Sequence, residues 1–233
     1  MEEFSAETAR ISALYMESPA LAAAGTHVVS VDEKTGIQAL ERIAPTKPPA
    51  PGQVEKREFE YARHGTTCLT ANMEIATGKL ITPTLGPTRN EEDFVEHIRR
   101  TVATDPTAPW VFVLDQLNTH LSEGLVRFVA RRCRIKSELG RKGKSGVLKS
   151  MPSRRAFLSD ESHRIRFVYT PKHCSWMNQI EIWFSILSRR LLGRSSFASI
   201  RELSASIRKF IDYFNATMAK PFRWTFTGIP LRA

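Results

Sequence analysis

Trp110-Val111-Phe112-Val113-Leu114-Asp115 is an unbroken apolar run closed by a carboxylate. Near-continuous apolar character over so short a stretch is the pattern of a strand buried on both faces. The closing aspartate sits where a rigid scaffold would hold it. A carboxylate in such a place is costly unless something positive neutralises it, and a divalent metal is the usual candidate. Two other stretches repeat the arrangement. His27-Val28-Val29-Ser30-Val31-Asp32 ends an apolar strand on an acid, and Ser175-Trp176-Met177-Asn178-Gln179-Ile180-Glu181 places an acid where an apolar helical run opens.

Around these stretches the chain reads as alternating strands and helices. Residues 4–17 predict a helix with Phe4, Ile11, Leu14 and Tyr15 on one face, stopped by Ser18-Pro19. A strand follows over 27–32, and Gly36-Ile37-Gln38-Ala39-Leu40 reads as a second strand over 35–40. Residues 44–57 carry too many prolines for a regular element and predict a long exposed loop. Thr66–Ile75 and Lys79–Pro83 around Ala76-Thr77-Gly78 predict an antiparallel hairpin. Asn90 caps a helix whose first turn holds Glu91, Glu92 and Asp93, where the helix dipole favours anions. A further helix is expected from Ser122 to Arg132, a last strand over Ile165–Tyr169, and two closing helices over about 176–192 and 199–217. Early strands followed by strand–helix alternation imply a mixed sheet with helices on its faces.

The segment 131–164 breaks this rhythm. It concentrates Arg131, Arg132, Arg134, Lys136, Arg141, Lys142, Lys144, Lys149, Arg154 and Arg155 among glycines 140, 143 and 146, and reads as an inserted basic loop suited to DNA phosphates. The whole chain of 233 residues has a net charge of +10, which favours a polyanionic partner once carboxylates of metal-ligand type accompany it. Gly143-Lys144-Ser145 is not a phosphate-binding P-loop: Glu138 stands where the motif needs its first glycine, and no strand precedes it. Cys68, Cys133 and Cys174 are too few and too widely spaced for a disulfide framework or a structural zinc site, and His173-Cys174 reads as loop packing. Neither a signal peptide nor a membrane span is apparent, so a cytoplasmic location is expected.

Hydrolysis of a phosphodiester needs an activated nucleophile and a stabilised leaving oxygen, and two divalent ions about 4 Å apart can supply both. Magnesium takes hard oxygen ligands, so a few carboxylates suffice, with water and phosphate completing the shell. Three ordered blocks support that chemistry: Val31-Asp32-Glu33-Lys34-Thr35-Gly36-Ile37-Gln38-Ala39-Leu40-Glu41-Arg42, then Leu114-Asp115-Gln116-Leu117-Asn118-Thr119-His120, then Tyr169-Thr170-Pro171-Lys172-His173-Cys174-Ser175-Trp176-Met177-Asn178-Gln179-Ile180-Glu181-Ile182-Trp183-Phe184. With Lys220-Pro221-Phe222-Arg223-Trp224-Thr225 they resemble, in order and over nearly the whole chain, the catalytic domain of the IS630/Tc1/mariner superfamily of DDE transposases, the bacterial IS630 branch being nearer.

The resemblance implies an α/β, ribonuclease-H-like (retroviral-integrase-like) fold, a mixed five-stranded sheet with helices on both faces. It implies a lead-in helix over 1–25 and a catalytic domain over 26–233 with its basic insertion at about 131–164. Asp32, Asp115 and Glu181 match the metal-binding triad, and Asn118, His120 and Asn178 match polar positions beside it. The implied activity is strand cleavage by water at transposon ends with two Mg2+ or Mn2+ ions, then attack of the freed 3′-OH on target DNA, at TA. Double-stranded DNA is the implied partner, bound by a homodimer, with a helix-turn-helix subunit or reading frame supplying end recognition. The sequence departs from the family in starting at the catalytic domain and in a longer Asp115–Glu181 interval. Two rivals stay open: another ribonuclease-H-like nuclease, and a non-catalytic remnant that binds DNA. Glu33 reads as structural, facing away from Asp32. Trp176, Trp183 and Phe184 read as core, and Trp224 as packing the C-terminal segment onto the domain.

Overall fold

The sixteen residues His27–Arg42 form one strand, β1, where the sequence suggested two. Its ladder with the next strand slips between Lys34 and Ile37, and Gly36 takes φ +63° there. A glycine in the left-handed region lets a strand absorb an extra residue as a bulge instead of ending. The computed structural model describes residues 2–227 apart from Thr46, Arg57 and His173. The His173 reading therefore lies outside the described residues.

Tyr61–Glu74 (β2) and Leu80–Gly86 (β3) form the expected hairpin, and Trp110–Leu114 (β4) and Ile165–Tyr169 (β5) complete a five-stranded sheet in the order β3-β2-β1-β4-β5. β1 runs antiparallel to β2 and parallel to β4, and β4 runs parallel to β5. All five residues of β4 are buried, as its apolar run requires.

Alternate residues of the central strands feed two separate cores, one on each face. Val28, Val111 and Val113 pack with Ile11, Leu14 and Tyr15 of α1 (Glu2–Ala23), Trp183 and Leu187 of α5 (Ile180–Leu187), and Leu203, Ile207 and Phe214 of α6 (Ile200–Thr217). Val29, Val31, Phe112 and Leu114 pack with Phe94 and Ile98 of α2 (Glu91–Val102), Leu125 and Val129 of α3 (Glu123–Arg132), and Leu158 of α4 (Met151–Leu158). Asn90 caps α2 in a capping box with Asp93, and Ser122 caps α3.

Several expectations are corrected. Helix α1 does not stop at Pro19 but continues to Ala23. Proline removes the N–H that would bond the Tyr15 carbonyl, and the Ser18 hydroxyl donates to that carbonyl instead, at 2.9 Å. The last turn of the first closing helix is π-helical, over Ser188–Leu192, and a short 3-10 turn at Ser175–Met177 precedes α5, so regular helix begins at Ile180 and not at 176. The segment 131–164 is not wholly loop. Residues 147–149 form a 3-10 turn and α4 follows, capped by Ser150 and packed through Leu148 and Leu158. Its glycine-rich part is a tight knuckle: Gly140 has φ +81°, and a side chain there would meet the Ser145 carbonyl at 2.1 Å. Trp183 and Phe184 are buried, but Trp176 is exposed, edge-on to Phe226. Trp224 packs against Tyr15, also edge-on. The proline-rich segment is exposed, with isolated bridges at Lys47–Lys56 and Ala50–Gln53. No described helix is long and apolar enough to cross a membrane.

Candidate active site

The parallel ladder between β1 and β4 pairs Val29 with Phe112 and Ser30 with Val113. The same offset carried two residues further sets Asp32 level with Asp115 on the neighbouring strand, on the face that holds α5. Adjacent strands lie about 4.8 Å apart, so two acids at one level confront each other. Glu181 enters from the first turn of α5.

Asn178 fixes α5 to this edge. Its amide nitrogen donates to the Val31 carbonyl at 2.7 Å and to Asp32 Oδ2 at 3.2 Å, and its Oδ1 accepts from the Ser30 hydroxyl. Ser30 Oγ in turn accepts the backbone N–H of Ile180 at 2.9 Å, beside Glu181. Both Ser30 and Asn178 are fully buried. A buried amide with its polar atoms paired across two elements specifies one arrangement of them. The other oxygen of Asp32 accepts the Glu33 backbone N–H at 2.8 Å. Tyr15 adds a third tie: its hydroxyl donates to the Met177 carbonyl at 2.9 Å.

Asp115 is held differently. His120, fully buried, reaches Asp115 Oδ1 through Nδ1 at 2.7 Å and Glu33 Oε1 through Nε2 at 3.1 Å. Burial would push the ring down, but hydrogen bonds and charge from Asp115 and Glu33 carry it up to about 9. An imidazolium therefore bridges two carboxylates. Burial acts to raise the Asp115 carboxyl, but His120, the Leu117 N–H and the exposed Arg89 hold it below the usual range. Asp32 behaves oppositely. Burial, and then the charges of Asp115, Glu33 and Glu181, push it up to about 7 against the pull of the Glu33 N–H.

A site whose neighbouring acids help push the Asp32 carboxyl up is short of positive charge there, and its donors are all hard oxygens. That chemistry fits a magnesium- or manganese-type ion. Among the described residues, however, no three acidic, histidine or cysteine side chains are gathered closely enough to hold a metal. Asp115 leans on His120, while Glu181 is tied by its backbone N–H to the Asn178 carbonyl at 3.1 Å.

Of the other sequence candidates, Asn118 is exposed and begins the 3-10 turn Asn118–Leu121 that carries His120. The basic set divides. Arg131, Arg132 and Arg134 lie at the end of α3, lining a cleft with Pro106 and Arg164 where β4 and β5 begin, so they stand at the opposite end of these strands from Asp115. Lys136, Arg141, Lys142, Lys144 and Lys149 are exposed, with Lys142 Nζ 4.0 Å from Glu91. Arg154 is buried, its guanidinium donating to the Ser150 carbonyl and to the Met151 sulfur, which removes it from any DNA-facing surface. Arg155 binds Glu7 at 2.6 Å and lies over the Tyr169 ring, joining α4 to α1. Ser30 and Arg89 were not singled out from the sequence, and Glu33 was read there as structural; Ser30 bonds Asn178, Glu33 bonds His120, and the Arg89 charge acts on Asp115.

The DDE superfamily endonuclease family matches residues 27–204, a span that contains all three acids together with Ser30, Glu33, His120 and Asn178. The chain belongs to the DDE superfamily of endonucleases. No curated protein matches the chain in sequence. Its fold resembles the Mos1 transposase paired-end complex with left transposon end, at a TM-score of 0.54 and 14% identity over 96% of this chain and 58% of that one. The Mos1 mariner paired end complex with Mn gives 0.52 and 13%, over 94% and 57%. A pre-cleavage Mos1 transpososome gives 0.51 and 13%, over 91% and 56%. Identities this low speak for a shared ribonuclease-H-like fold, as the five-stranded sheet with helices on both faces was expected to have. The present chain spans little more than half the length of these three.

Proposed function

We propose that this chain is the catalytic domain of an IS630-type DNA transposase, with Asp32, Asp115 and Glu181 as its ligand carboxylates. Water cuts the DNA at the element's ends, and the freed 3′-OH joins target DNA at TA. The observation that carries this reading is the register that sets Asp32 level with Asp115, with Glu181 tied to the same edge through Asn178 and Ser30. Two divalent ions, Mg2+ or Mn2+, would supply Lewis-acid activation of the attacking water and stabilise the leaving oxygen.

The chain's own residues prepare that chemistry. His120 points Asp115 by donating to one oxygen, and Glu33 keeps His120 charged. Asn178 does the same service for Asp32. Such outer partners fix the orientation of ligand groups and set their basicity. Arg89 adds a cation near Asp115 that suits a scissile phosphate. Duplex DNA is the substrate, held by a homodimer and by the exposed lysines and arginines over 131–149, while a helix-turn-helix subunit recognises the ends.

Purified protein and its Asp115→Asn variant test the reading, with supercoiled plasmid bearing the element's ends and a magnesium titration. The variant is expected to lose nicking while keeping its fold, with some loss of thermal stability because the buried His120 loses a charged partner. Nicking undiminished in Asp115→Asn would sink the assignment. A second reading, a remnant that binds DNA without cutting it, is favoured by the separation of the three acids among the described residues. It is the outcome if the wild-type chain binds DNA but never nicks at any metal concentration.

A further inference from the structure

On the α5–α6 face lies a cleft of about 720 Å³ that the triad does not use. One wall is the end of α5 and its π-helical turn, contributing Ile186, Arg189, Arg190 and Arg194; the other is α6, contributing Phe210 and Tyr213. Arg189, Arg190 and Arg194 are exposed, and none has an ion pair among the described residues. No carboxylate lines the cleft among those residues. Tyr213 is 57% exposed, so its ring is open to a ligand in the cleft. π-helical turns recur at functional sites, since they cost backbone regularity that packing alone does not repay.

Unpaired arginines beside an open aromatic ring are the chemistry that holds a single nucleic-acid strand: cations track the phosphates and the ring stacks on a base. A duplex cannot use the ring, because its bases are stacked on one another. We propose that this cleft binds single-stranded DNA. Arg189 stands eight residues after Glu181 on the same helical run, about 12 Å along its axis at 1.5 Å per residue. A strand released at the carboxylates therefore reaches the cleft within a few nucleotides. The cleft's chemistry stands by itself; naming the strand as the flank of the cut rests on the DNA-cutting reading above.

The test uses the full chain and a fluorescein-labelled oligothymidine of about fifteen nucleotides, a length within the range such sites cover. Anisotropy is read over a salt series. Tyr213→Ala is expected to weaken binding by about five- to a hundred-fold, the worth of one stacked base, and Tyr213→Phe to restore it. The double variant Arg189→Ala/Arg190→Ala is expected to flatten the slope of log affinity against log salt by about 1.4, at 0.7 per phosphate of a single strand. A neutral Tyr213→Ala overturns the proposal. So does a duplex of equal length bound as tightly through the same residues, or a polyglutamate peptide that binds there while oligothymidine does not. Plasmid nicking by the same preparations separates the two readings. Tyr213-dependent strand binding in a wild-type protein that never nicks upholds the cleft and defeats the DNA-cutting reading. Nicking that survives alongside a neutral Tyr213→Ala defeats the cleft alone.

Discussion

Glu33 shows what one side chain adds to this site. Its side chain is buried, it meets His120 at 3.1 Å, and through that ring it acts on Asp115. Glu33→Gln keeps the shape and removes the charge. It is expected to reduce magnesium-dependent nicking by about 10–100-fold, the usual cost of losing an outer partner of a ligand group, and to raise the magnesium concentration needed. An unchanged magnesium titration would return Glu33 to a packing role. The pH behaviour follows from His120. Its folded-state pKa, about 9, lies above the roughly 6.5 of the unfolded chain. The stability it contributes is thus fully present below about pH 6.5 and is lost as pH rises through about 9. Urea unfolding of wild type and His120→Asn is expected to show a gap that narrows over that window. The three acids proposed as ligands stand out in the sequence because each closes or opens an apolar run. Strand alternation also put Glu33 on the face away from Asp32. What alternation cannot give is the partner waiting there, since His120 arrives from a turn 87 residues further on.

At the scale of elements, α1 and α2 carry the clearest consequences. Tyr15 of α1 is buried and donates to the Met177 carbonyl just before α5. Tyr15→Phe leaves that carbonyl without its donor and is expected to cost about 1–3 kcal/mol in chemical unfolding. It should also lower nicking, because the segment that positions Glu181 loosens; unfolding unchanged from wild type would show that α1 does not brace the site. Helix α2 supplies a second pH effect, of opposite sign. His97 is fully buried, bonded to Thr84 Oγ1 at 2.9 Å, and burial pushes its ring down to about 3. Only the unfolded chain takes up this proton between about pH 6.5 and 3, so stability falls through that range as acid is added, by up to about 1.4 kcal/mol per pH unit. His97→Gln is expected to remove that slope, measured as the difference between the two unfolding curves at each pH. The sheet and its helices were readable from period and caps, β4 and the capping box at Asn90 above all. Boundaries were not, where a compensating group intervened. Pro19 should end α1 on its own chemistry, yet the Ser18 hydroxyl replaces the missing donor, and Gly36 turns an apparent strand break into a bulge.

For the whole molecule the question is where a charge of +10 meets DNA. The sequence offered one continuous basic insertion. The fold breaks it into three parts: a cleft at the far end of the sheet, an exposed knuckle over 141–144, and two arginines spent on structure. Linear clustering of charge could not foretell this, since α4 turns Arg154 inward and Arg155 onto Glu7. The knuckle is therefore the part of the insertion best suited to phosphates. Each phosphate neutralised changes the slope of log affinity against log salt by about 0.9 on duplex DNA. Lys142 already lies 4.0 Å from Glu91 and is partly offset, whereas Arg141 and Lys144 have no ion pair among the described residues. Replacing Arg141, Lys142 and Lys144 with alanine is thus expected to flatten the slope by nearer two than three, with duplex affinity falling evenly across sequences. The same substitutions at Arg131, Arg132 and Arg134 should alter the slope only if the duplex wraps to the opposite end of the sheet. Titrating both triple variants with one duplex over the same salt series decides which end the DNA occupies. A slope untouched by the knuckle variant would mean that these charges serve solubility alone.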